Sequence, residues 1–98
     1  MATKTNEEIA AEIAALEEIK PNVRAYNAFE DSNRDAIQAQ IDVLNQGLSA
    51  DDVNDRWPED EGSDPYNRDH ALEAIDWRDG DRDAAGLAAS WQSLVIAP

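Results

Sequence analysis

Residues 5–21 read TNEEIAAEIAALEEIKP, and this stretch decides the fold class. Thr5 and Glu8 stand in the S/T-x-x-E relation, in which each side chain satisfies a backbone N–H that the first helical turn leaves without a partner. Ile9, Ile13, Leu16 and Ile19 follow at helical spacing, with alanines widening the apolar stripe. Pro21 has no N–H to continue the ladder and stops the helix. An amphipathic helix over residues 5–20 is therefore specified locally.

The same logic carries along the chain. Asp31 and Ser32 are suitable N-caps for a second helix. Ile37, Ile41, Leu44 and Leu48 mark its buried face, and Gly47 is its C-terminal cap. Ser49-Ala-Asp-Asp52 opens a short helix whose first-turn acids suit the helix dipole. Val53 and Trp57 face inward from it, and Pro58 ends it. Residues 58–64 have the composition of a loop, after which Asp64 and Pro65 read as N-cap and first residue of a helix running to Gly80. Residues 22–30 are irregular and bring Val23, Tyr26 and Phe29 toward the core. The expected architecture is all-α: one domain over residues 1–98, a small bundle of three longer helices and one short one. Residues 1–4 are expected to be a disordered N-terminus. Residues 84–98 are expected to be an irregular apolar tail docked on the bundle, with 84–90 either one helical turn or coil.

Composition narrows the chemistry. Of 98 residues, 22 are Asp or Glu and eight are Lys or Arg, a net charge of −14. Alanine supplies 17 of the apolar residues, so the larger ones suffice for one thin core. The absence of cysteine excludes a disulfide scaffold, a thiolate zinc site and a thiol nucleophile. The start of the chain is short and polar, unlike a secretory signal, and no stretch is long enough to span a bilayer. A cytoplasmic protein is expected. The scattered cations suit neither a nucleic acid nor an anionic membrane.

The acids are unevenly placed. Between Asp51 and Asp83 there are 13 carboxylates against four arginines. On the helix from Tyr66, Asp69, Glu73 and Asp76 form one stripe at i, i+4 and i+7. Like charges at that spacing destabilise a helix by a few tenths of a kcal/mol per pair, so stability alone would favour a Lys or Arg there. Glu59, Asp60, Glu61 and Asp64 precede the stripe, and Asp79, Asp81 and Asp83 follow it. A row of carboxylates about 5–6 Å apart approximates the charge pattern of a nucleic-acid strand. Trp77 shares a second semi-apolar sector with Tyr66, His70 and Ala74, so it could anchor an aromatic contact rimmed by acids. The candidate partner-binding set is therefore Glu59, Asp60, Glu61, Asp64, Asp69, Glu73, Asp76, Asp79, Asp81, Asp83 and Trp77.

A short, cysteine-free, strongly acidic helical chain resembles, in size and composition, the small anti-CRISPR and anti-restriction nucleic-acid mimics that phages and plasmids use against host defence. That class shares no sequence motif, so the resemblance assigns no residue a role. It implies a non-enzymatic inhibitor occupying the nucleic-acid channel of a nuclease or surveillance complex in the host cytoplasm. The alternative is an acidic antitoxin or adaptor that neutralises a basic protein away from its nucleic-acid site. On either view the partner is a basic protein, and the chain is a monomer or weak homodimer.

Other motifs are weaker. Gly47 to Val53 resembles the turn of a helix-turn-helix, but Asp51, Asp52 and Asp55 would face the phosphates. Asp79, Asp81 and Asp83 match the start of a calcium loop, yet Ala84 stands where a glycine is needed and Ser90 where a bidentate Glu belongs. His70 has no second histidine, and Ser90 and Ser93 have no plausible base. No metal, cofactor or catalytic residue is expected. Salt screens self-repulsion over about 8 Å at physiological strength, so the urea midpoint should rise on adding moderate NaCl. A flat or falling midpoint would mean that the acids are locally neutralised.

Overall fold

The computed structural model describes residues 4–23, 32–58, 65–80 and 86–95. Five α-helices lie within them: α1 (Asn6–Ile19), α2 (Ser32–Gln46), α3 (Ala50–Arg56), α4 (Pro65–Asp79) and α5 (Gly86–Trp91). Two 3₁₀ turns, Lys20–Asn22 and Gln92–Leu94, follow α1 and α5. The described residues contain no β-strand, only an isolated antiparallel bridge between Val23 and Val95. The protein is a small all-α bundle.

Helices α1 and α3 start, and α1 and α2 stop, for local reasons. Thr5 and Glu8 form the reciprocal capping box, with Thr5 N to Glu8 Oε1 at 2.9 Å and Glu8 N to Thr5 Oγ1 at 3.1 Å. Ser49 and Asp52 form a second one at α3, at 2.9 and 3.2 Å. Gly47 turns the chain out of α2 at φ +64°, a left-handed conformation that a Cβ would disfavour. Pro21 falls inside the 3₁₀ turn that ends α1.

Helix α2 is the centre. Ala36, Ile37, Ala39, Ile41, Val43 and Leu44 are buried, so α2 meets neighbours on more than one side. It packs most extensively on α4 and next on α1, while α5 lies on α1 and α4, and α3 on α4. Ala71 and Ala74 are fully buried on α4 and present little bulk, which lets that helix approach α2 closely. Leu16 and Ile19 close the core from α1, Val23 from just after the 3₁₀ turn that follows it, and Leu87 and Trp91 from α5.

The centre is also polar. Gln40 is fully buried. Its Oε1 accepts the indole N–H of Trp91 at 2.9 Å. Its Nε2 donates to the His70 carbonyl at 3.1 Å and to Glu73 Oε1 at 3.3 Å. Asn33, 1% exposed, accepts the Tyr66 hydroxyl at 2.5 Å. A buried carboxamide is tolerated only when its donors and acceptor are satisfied, and here the partners come from α4 and α5.

Two expectations need correction. The C-terminal segment is not an irregular tail where described: Gly86–Trp91 is helical, because Leu87 and Trp91 are drawn into the core and Val95 reaches Val23. Lys4 is not part of a disordered terminus. Its backbone N–H donates to the Arg78 carbonyl at 3.2 Å, and its Nζ donates to the Trp77 carbonyl at 2.9 Å. The expected packing of Tyr26 and Phe29 lies outside the described residues, as do residues 1–3 and 96–98.

Removing the carboxamide leaves the Trp91 indole N–H and the His70 carbonyl without that partner. Gln40→Leu should therefore lower unfolding stability by about 1–3 kcal/mol, read from urea titration, although it adds apolar volume to the core. A neutral or stabilising result would mean that the polar centre can be replaced by hydrocarbon.

Candidate functional site

The acidic helix α4 does not expose its three stripe residues alike. Asp69 and Asp76 are exposed. Glu73 is half-buried: its Oε1 accepts from Gln40 and lies 3.7 Å from His70 Nδ1. At about 100° per residue, Glu73 falls on the flank of the stripe nearest His70 and Trp77, and its longer side chain reaches back toward α2. Of the three stripe carboxylates Asp69 and Asp76 are the exposed ones, separated by two helical turns, about 10 Å along the axis.

Trp77 is not a surface contact. It is 5% exposed, in the sector with Ala74 that meets the bundle, and Lys4 Nζ sits 4.9 Å from its ring centroid. The buried strip of α4 draws on two semi-apolar faces: Ala74 and Trp77 from the one that also bears Tyr66 and His70, and Ala71 from the one that bears Leu72 and Ile75. The ring of His70 packs edge-on to Tyr66 at 4.6 Å between centroids and against Trp91 at 4.7 Å. His70 is thus part of the aromatic packing between α4 and α5. Leu72 and Ile75, on the other side of α4, are half-buried.

Asp79 is paired. Arg78 Nε and Nη2 donate to its two carboxylate oxygens, each at 2.8 Å, a bidentate geometry. Hydrogen bonding to Arg78 holds the Asp79 carboxyl below its usual range, and the same bonds favour the charged form of Arg78. Glu59, Asp60, Glu61, Asp64, Asp81 and Asp83 lie outside the described residues. The part of the candidate surface that the structure describes and exposes is therefore Asp69 and Asp76.

Packing adds acids that sequence order had set apart. Helix α3 lies on α4, and Arg68 Nη2 donates to Asn54 Oδ1 at 3.0 Å across the pair. Asp51, Asp52 and Asp55 are exposed on α3, the helix that packs on α4. The dipole and cap had accounted for Asp51 and Asp52 on their own; the regional acid count was the signal that included them. Glu7, Glu8, Glu17 and Glu18 are exposed on α1 as well.

Among the described residues, neither lysine pairs with an exposed acid of α3 or α4. Lys4 Nζ donates to a carbonyl, and Lys20 Nζ donates to Gln38 Oε1 at 2.5 Å. Arg56 is 3.9 Å from Asp42 and stacks over Trp57 at 5.4 Å. Asp69 and Asp76 form no ion pair among the described residues. A cleft of about 730 Å³ runs between α1, the α2–α3 turn and α4, with Ile9, Leu44 and Ile75 among its lining residues. The ionised groups lining it are the Arg78–Asp79 pair, so the cleft is not part of the acidic surface.

No protein-family model, curated protein or solved structure matches the chain. Among the described residues, no helix is long and apolar enough to cross a membrane.

The capping acids carry a pH signature. Backbone and side-chain hydrogen bonds from Thr5 hold Glu8 below its usual carboxylate range, and those from Ser49 do the same for Asp52. A lowered folded-state value adds stability above the unfolded pKa, which is lost as pH falls through the folded value. The wild type should therefore be more stable than a Glu8→Gln/Asp52→Asn variant at pH 7. The gap should close progressively below about pH 4. A gap independent of pH would show that the caps act without their charge.

Proposed function

We propose that this protein is a non-enzymatic inhibitor that presents an acidic helical surface to the basic, nucleic-acid-binding surface of another protein. The observation that carries the proposal is the uncompensated exposure of acids on adjoining helices, Asp51 and Asp55 of α3 and Asp69 and Asp76 of α4, in a chain of net charge −14. A field of one sign raises encounter rates with an oppositely charged surface and repels competitors of its own sign. Nucleic-acid mimicry is one form of this, and the resemblance to anti-defence mimics in size and composition supports it.

A second reading has its own support. Because Glu73 turns inward, the α4 stripe lacks the closely spaced ladder that would follow a phosphate backbone. General neutralisation of a basic protein, as by an antitoxin or adaptor, needs only the field. The two readings separate by competition. A mimic captured on its partner from cognate host lysate is displaced by duplex DNA or heparin. A neutralising module stays bound when the partner is loaded with nucleic acid.

Asp69→Asn with Asp76→Asn should slow association about threefold to tenfold and make its salt dependence shallower, with helix content unchanged. Glu73 should be left intact, since it accepts from Gln40. The proper control is Glu17→Gln with Glu18→Gln, both exposed on α1. Glu8 and Glu12 do not serve, because the first caps α1 and the second bonds α5. If the control abolishes binding and the α4 variant binds normally, the surface is misassigned. If neither changes binding, the acidity serves solubility alone.

A further inference from the structure

Helix α5 has six residues and is held by contacts made far away in sequence. A helix this short has no stability of its own, because nucleation outweighs the few bonds it forms. At its start, Glu12 Oε2 of α1 accepts the Ala88 backbone N–H at 2.6 Å, across 76 residues. A carboxylate from another helix thus satisfies an N–H that the first turn leaves open. Gly86 makes this approach possible in two ways. Its φ of +78° is strained for any side chain, and a Cβ there would lie 2.6 Å from Glu12 Oε1. At the other end, Trp91 is 3% exposed, its indole N–H is taken by Gln40, and its ring lies against His70. Beyond it, Val95 bridges to Val23.

From these contacts we infer that Gly86–Val95 is a strap, latched by the Glu12 carboxylate, that opens as a unit while α1 to α4 remain folded. It is anchored by Leu87 and Trp91 in the core, by the Glu12 and Gln40 bonds and by the Val23 bridge. These reach it from α1, α2, α4 and the segment after α1, and it has only a single short run of helical backbone bonds of its own. Those helices also pack directly on one another without it. Segments with this pattern open below the global unfolding free energy. Opening takes Trp91 away from the Gln40 carboxamide and the His70 ring. The chain would then present a polar and aromatic surface that the closed state covers.

Native-state amide hydrogen exchange on the full chain tests this. Amides of Ala88 to Trp91 should exchange about tenfold or more faster than those of Ile37 to Val43 in α2. Glu12→Ala should accelerate the α5 amides by about a further fivefold, the usual loss on removing a cap, and leave the α2 amides unchanged. Glu12→Gln, which keeps an acceptor oxygen, should fall between. If Glu12→Ala prevents folding, the Gly86→Ala variant should show the same selective acceleration. Equal protection of α5 and α2 in the wild type would overturn the proposal, as would equal acceleration of both in the variants. An α5 unaffected by loss of Glu12 would also overturn it.

Discussion

The buried carboxamide of Gln40 is the constraint on which the remaining packing depends. It sits on the central helix with no exposure and bonds to a carbonyl and a carboxylate of α4 and to an indole of α5. Hydrocarbon at this position could fill the space, but it would not distinguish one rotation of α4 from another. A carboxamide does, because a rotation of α4 breaks bonds that water cannot replace in the interior. The orientation of α4 then settles which of its acids reach solvent. Glu73 is held in the polar centre, while Asp69 and Asp76 remain outside. The acidic surface is in this sense a consequence of the core.

The fold is stabilised by means that leave most of its surface charge unneutralised. Some acids have local duties. Glu8 and Asp52 close capping boxes, Glu12 bonds the start of α5, and Asp79 clamps Arg78. Lys4 and Lys20 reach neutral acceptors and do not bridge carboxylates. Asp51 and Asp55 of α3 and Asp69 and Asp76 of α4, all exposed, have no such duty among the described residues. Their mutual repulsion is borne by a core built on Leu16, Ile37, Val43, Val53 and the two buried tryptophans, Trp77 and Trp91. A surface arranged this way acts at a distance, through its field, and needs no shaped pocket.

Boundaries of elements were legible because their causes are local. Thr5 with Glu8, Ser49 at the start of α3, Gly47 after α2 and Pro21 after α1 each act within four residues of chain. Periodicity placed Leu16, Ile19, Ile37, Ile41, Leu44 and Val53 in the core, where they lie. Helix α5 was not legible in the same way. Gly86–Trp91 is too short for a periodic signal, and its start is bonded by a side chain 76 residues away.

The sequence by itself determined the helical class, most helix ends, the apolar stripes and a strong acidic excess, since each depends on composition or on neighbours along the chain. The rotation of α4 was decided only in three dimensions. Two semi-apolar faces of similar strength left either one free to meet α2. The small volumes of Ala71 and Ala74, one from each face, together with the bonds of Gln40, set the buried strip where the two faces meet and took Trp77 inward. That arrangement buried Trp77, drew Glu73 partly inward and set α3 on α4. Which carboxylates stand together is a matter of packing across distant segments, and helical spacing alone carries no information about it.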